Sequence, residues 1–103
     1  DWQGFEWLVP DDNHNNVIVF LRRDRAGNEL LCAVNFSPND YADYRVGVPK
    51  SGTYTLILDN EHGLYKRGEH AFSKRSVKSE CDGQPYSFAY PLPAYGTAVF
   101  RFN

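Results

Sequence analysis

Val17-Ile18-Val19-Phe20-Leu21-Arg22-Arg23 and Glu29-Leu30-Leu31-Cys32-Ala33-Val34-Asn35-Phe36, joined through Arg25-Ala26-Gly27-Asn28, decide the fold of this 103-residue chain. Both runs are short and apolar, and Gly27 and Asn28 tolerate the positive φ that a tight connection needs, so the pair reads as a β-hairpin. In a two-layer sandwich one face of each sheet meets water and alternates polar with apolar. Val17–Leu21 and Leu30–Val34 are apolar on both faces. Their second face is therefore expected to be covered, either by a long loop of this chain or by another domain.

Working outward, the same period-two pattern recurs along the chain. Phe5, Trp7 and Val9 define a first strand that Pro10 is expected to stop, followed by the polar turn Asp11-Asp12-Asn13-His14-Asn15-Asn16. Beyond the break at Ser37-Pro38-Asn39-Asp40, Tyr44–Val48 is apolar on one face, and Pro49-Lys50-Ser51-Gly52 turns into Thr53–Leu58, with Tyr54, Leu56 and Leu58 sharing a face. Tyr86, Phe88, Tyr90 and Leu92 alternate in a later strand, and Ala98, Phe100 and Phe102 in the last. No segment carries a capped helical period. The expected architecture is all-β, an antiparallel Greek-key β-sandwich of about seven to eight strands formed by residues 1–103 as one domain.

Residues 59–83 interrupt this spacing with dense charge and few apolar side chains, and read as a long excursion with room for a short edge hairpin. The aromatics Phe5, Trp7, Phe20, Phe36, Phe88, Phe100 and Phe102 sit at strand periodicity and are assigned to the core.

Composition narrows function by exclusion. A net charge of −2 with 23% charged residues offers no basic excess for nucleic acid and no polybasic face for a membrane. The clusters Arg22-Arg23-Asp24-Arg25 and Lys74-Arg75-Ser76-Val77-Lys78 read as solvated faces or ion pairs with neighbouring acids. No apolar run approaches the ~20 residues of a membrane-spanning helix. The chain begins at Asp1 and contains no methionine, which implies a processed chain or a piece of a larger protein. Cys32 in an apolar run and Cys81 in a polar loop leave a disulfide open but unforced, and free thiols fit a reducing compartment.

Phosphate-loop, nucleophile-elbow, zinc-protease and paired Cys-x-x-Cys patterns are all missing. His14, His62 and His70 fall in polar loops at spacings that match no usual metal site, and Asp11-Asp12, Asp40 and Asp43 are turn carboxylates. No catalytic residue, metal site or cofactor is therefore assigned. Asn35-Phe36-Ser37 matches a glycosylation triplet but overlaps a strand end and reads as structural. Trp2, Tyr41, Tyr65 and Tyr95, at strand ends or in loops, are the aromatics placed to stack on sugar rings.

Six pieces carry a family resemblance: Gly4-Phe5-Glu6-Trp7, Asn16 to Arg23, Val34-Asn35-Phe36-Ser37-Pro38, Tyr44 to Pro49, Gly52-Thr53-Tyr54 with Leu58-Asp59-Asn60, and Leu92-Pro93-Ala94-Tyr95-Gly96-Thr97-Ala98-Val99-Phe100. In this order the chain resembles the C-terminal β-domain of bacterial 1,4-α-glucan (glycogen) branching enzymes, of the α-amylase superfamily. Tyr65-Lys66-Arg67-Gly68-Glu69 departs from that pattern, since the family has a glycine- and serine-rich stretch there. The resemblance implies a non-catalytic domain that packs against and stabilises the (β/α)₈ barrel of its parent. Chain transfer from α-1,4 to α-1,6 linkage belongs to that barrel, which is absent here; a barrel needs roughly 200 residues. It implies a cytoplasmic setting, no cofactor, and contact with α-glucan as a second expectation. The alternatives are an α-glucan-binding module and the C-terminal domain of another superfamily member such as isoamylase.

Overall fold

A computed structural model describes residues 5–12, 16–23, 25–60, 63–64 and 72–102. Seven strands of six to eight residues carry the fold: β1 (Phe5–Asp12), β2 (Val17–Arg23), β3 (Glu29–Asn35), β4 (Tyr41–Val48), β5 (Thr53–Asp59), β8 (Tyr86–Leu92) and β9 (Thr97–Phe102). Two short strands, β6 (Gly63–Leu64) and β7 (Ser73–Arg75), lie between β5 and β8. There is no helix among the described residues. One sheet runs β1-β2-β3-β9-β5, with β6 and β7 both on the far side of β5; β4 and β8 form the second. The last strand is inserted between β3 and β5, the crossed connectivity of a Greek key, and every pair is antiparallel.

The alternation read from the sequence sets the core. Val17, Val19 and Leu21 of β2, Leu31 and Ala33 of β3, Ala98 and Phe100 of β9, and Tyr54 and Leu56 of β5 face Tyr44, Val46 and Val48 of β4 and Phe88, Tyr90 and Leu92 of β8. Aromatic rings bridge the layers. Tyr54 stacks on Phe88 at 5.1 Å, and Phe100 meets Phe88 and Tyr90 edge-on at 5.3 and 4.9 Å.

Several expectations need correction. β1 continues through Pro10 to Asp12, because an edge strand with register shifts on either side of Val9 can accommodate a residue that donates no hydrogen bond. The same shifts put Trp7 opposite Phe20 but Val9 opposite Val19, so the β1 ladder does not keep a strict two-residue step; the side chains of Phe5, Trp7 and Val9 lie outside the described residues. A shift between Leu56 and Leu58 likewise takes Leu58 off the inward row of β5. Phe20 is half-buried on the outer face and Phe36 is 57% exposed; neither belongs to the core. Conversely, Phe72 in the charged stretch packs against the core, edge-on to Tyr90 at 5.0 Å. The described part of that stretch lines the border of β5 and bridges to β8 through Val77 and Ser87, rather than roofing β2 and β3.

One buried charge ties the layers together. Glu29 is 5% exposed, and its Oε2 accepts from Arg23 Nε at 2.6 Å and from Lys50 Nζ at 2.9 Å. Burial alone pushes the carboxyl up, but the hydrogen bonds and charges of Lys50 and Arg23 together hold it below its ordinary value. A carboxyl lowered on folding stabilises the protein above its unfolded pKa of about 4.3, and that contribution is lost as pH falls through the folded value. Glu29→Gln is therefore expected to cost about 1–2 kcal/mol at pH 7, and the gap should shrink when urea unfolding is repeated near pH 3.

Candidate functional site

The outer face of the first sheet is an apolar field built by strand register. Ile18 pairs with Val34 and Phe20 with Cys32; Val34 pairs with Thr97 and Cys32 with Val99. All six side chains are half-buried. Arg22 and Arg101, both exposed and both in register with Leu30, form the polar border. Burial pushes the Cys32 thiol up, so it acts here as a small apolar group. Of the two coverings expected for this face, the described loop residues do not supply one.

Beyond Val34 the field reaches one end of the sandwich, where Phe36 and Tyr95 stand 57% and 62% exposed. Their backbones are pinned. Asn35 N–H donates to Gly96 O at 2.8 Å, Phe36 N–H to Asn16 O at 2.9 Å and Tyr95 N–H to Ser37 O at 3.1 Å. Tyr95 sits at φ 53°, a left-handed conformation rare for a bulky residue, and Asn60 Nδ2 donates to its carbonyl at 2.9 Å. Beneath them Asn35, 1% exposed, donates from Nδ2 to Asn39 O (2.9 Å) and Pro93 O (3.0 Å) and accepts at Oδ1 from the N–H and hydroxyl of Ser37 (both 2.8 Å). The Asn-Phe-Ser triplet is thus a structural clamp, as read from the sequence.

A third feature lies on the second sheet. A groove of about 470 Å³ opens between the start of β4 and the 81–82 loop, lined by Asp40, Tyr41, Asp43, Arg45, Cys81 and Asp82 among others. A smaller depression of about 210 Å³ adjoins it, with Asp40, Tyr41 and Ala42 common to both and Leu92 between two prolines on its far side. The loop closes down here because Gly47 has no side chain; a Cβ would overlap the Cys81 carbonyl. Burial and the Asp82 carboxylate push the Cys81 thiol up to about 11, leaving it protonated and unreactive at neutral pH. Cys32 and Cys81 are both free.

Of the aromatics singled out from the sequence, Tyr95 is exposed and Tyr41 is half-buried at the head of β4, while Trp2 and Tyr65 lie outside the described residues, as do His14, His62 and His70. Tyr41 and Tyr95 serve different features, the groove and the sandwich end. Sequence reasoning missed Phe36, assigned to the core, and the groove partners Arg45 and Asp82. The available signal for the groove was the alternation of carboxylates and aromatics in Asp40-Tyr41-Ala42-Asp43-Tyr44-Arg45. Among the described residues no group of three or more His, Cys, Asp or Glu side chains is placed to hold a metal ion, and no helix is long and apolar enough to cross a membrane.

Comparison with known proteins agrees with this fold. The profile of the alpha amylase C-terminal all-beta domain matches residues 7–103. The 1,4-alpha-glucan branching enzyme GlgB of Butyrivibrio fibrisolvens is 40% identical over 106 residues, an alignment covering 100% of this chain and 17% of that protein. The chain therefore spans about a sixth of the length of the curated relative it matches. With nearly all of its length accounted for by one profile and its strands closing the expected sandwich, the chain belongs to the alpha amylase C-terminal all-beta domain family.

Proposed function

We propose that this chain is the non-catalytic C-terminal domain of a cytoplasmic 1,4-α-glucan branching enzyme, seated through the outer face of its first sheet on the catalytic (β/α)₈ barrel of the same polypeptide. The observation that carries the reading is the match at 40% identity over the whole chain to a branching enzyme about six times longer. The apolar field of Ile18, Phe20, Cys32, Val34 and Val99 supplies the physical reason for a neighbour. Burying such a face contributes about 25 cal/mol per Å² before ordering costs. Two free thiols fit a reducing compartment.

On this reading the bond-making chemistry lies in the barrel, and this domain keeps the barrel's apolar flank dry and rigid. α-Glucan contact is its second role, supported by aromatic side chains left accessible at Tyr41 and Tyr95.

The test is iodine staining of amylose. The full-length enzyme is expected to introduce branches and shift the stain, while the 103-residue chain alone leaves it unchanged. Branching by the chain alone overturns the non-catalytic role. Cleavage of α-1,6 links by the full-length protein overturns the branching assignment in favour of a debranching relative.

A further inference from the structure

We infer that the groove at Tyr41 is a subsite for a glucose chain, with the Tyr41 ring as its stacking surface and Asp43, Arg45 and Asp82 as its hydroxyl partners. The groove itself points to a neutral polyhydroxylated ligand; the α-1,4 linkage rests on the reading under Proposed function.

A pyranose ring is amphipathic, with C–H faces that pack on an aromatic ring and a rim of hydroxyls that both donate and accept. The site matches both properties. Tyr41 lies between the two adjoining depressions, one bordered by charged side chains and the other by Leu92 and its flanking prolines. The larger, at about 470 Å³, is within the ~300–1,000 Å³ typical of small-ligand sites.

Its walls are preorganised. The Tyr41 ring packs against that of Tyr44 at 5.9 Å, and its hydroxyl lies 3.5 Å from Ser37 Oγ. Arg45 is steered along the sheet by its bond to Ser87 Oγ at 2.8 Å. Asp82 is held in a left-handed turn at φ 49°, with the Cys81 thiol donating to its Oδ2 at 3.5 Å.

Asp40, Asp43 and Asp82 outnumber Arg45, so a phosphate or other anion is repelled. No group of three acidic, histidine or cysteine side chains among the described residues is placed to hold a metal ion. Carboxylate acceptors beside a guanidinium donor and an aromatic ring suit sugar hydroxyls. The groove also belongs to the second sheet, the layer opposite the docking face, so barrel contact and glucan contact do not compete.

The experiment is an amide-resolved NMR titration of the chain with maltoheptaose, and with cellohexaose as the β-linked control. Saturable shifts are expected at residues 40–45, 81, 82 and 92 with maltoheptaose alone, with a Kd on the order of 1 mM. Tyr41→Ala should raise Kd about tenfold and the exposed Asp43→Ala about fivefold, as befits loss of one stacking or one charge-assisted contact. If Tyr41→Ala loses its dispersed spectrum, Asp43→Ala carries the test. Shifts centred on Phe36 and Tyr95 overturn the groove while leaving glucan contact in place. Equal shifts with both sugars overturn the linkage. No shift with either overturns the subsite and leaves the docking reading to the amylose assay.

Discussion

Phe20→Glu is expected to destabilise the full-length enzyme by more than about 3 kcal/mol while costing the free 103-residue chain about 1 kcal/mol. In the free chain Phe20 is only half-buried on the outer sheet face, so a carboxylate there remains in contact with water. In the docked enzyme the same carboxylate would sit between two apolar surfaces without a partner. A Phe side chain contributes roughly 1.5–3 kcal/mol on full burial, and an uncompensated charge adds several more against docking. The measurements are the melting temperature of each form and limited proteolysis of the full-length variant, which should release the domain at its junction. Equal costs in the two settings would mean that the face is wet in both, and the docking proposal would fail.

Asn35→Asp carries the second large effect, about 3–5 kcal/mol in the isolated chain at pH 7. Asn35 Nδ2 supplies two hydrogen bonds to the carbonyls of Asn39 and Pro93 from a site 1% exposed. An ionised Asp would turn oxygen toward both carbonyls and bury a charge with no cation among the Asn35 partners. A stability of about 5–15 kcal/mol is usual for one domain, so the loss is a large fraction of the whole. Part of it should return on acidification. Burial and the facing carbonyls raise the introduced carboxyl above its unfolded pKa of about 3.9, and once protonated it donates one bond. Urea midpoints at pH 7 and pH 4 check both parts. A midpoint deficit that does not narrow at pH 4 would show that carboxylate charge is not the cause.

These two positions illustrate what a sequence discloses and what it hides. The inward rows of β2, β3, β8 and β9 follow period-two alternation so closely that strand identity, core membership and sandwich class are all readable in the sequence. The two-faced apolarity of β2 and β3 also raised the expectation of a covered second face, and the described loop lies elsewhere. Register shifts escaped detection. Nothing in Phe5-Glu6-Trp7-Leu8-Val9 marks where the ladder slips, because a bulge is set by the partner strand and by edge position. Phe36 was misplaced for a related reason: it continues the period of β3 one step past the last ladder pair, onto the outer face. The groove was half legible. Tyr41 stood out as an aromatic at a strand end, but Asp82 reaches it only because Gly47 lets a distant loop settle on β4.

The borders of the large sheet bear on how this domain survives when separated from a neighbour. Along β1 the ladder slips twice and Pro10 withholds an amide, while β6 and β7 cap both ends of β5. Neither border offers a long uninterrupted row of amides and carbonyls on which a second copy could template a strand. Release of the domain by a protease should therefore yield a species that associates face to face through its oily side, reversibly and with mass action, rather than one that grows fibrils from the edges of this sheet.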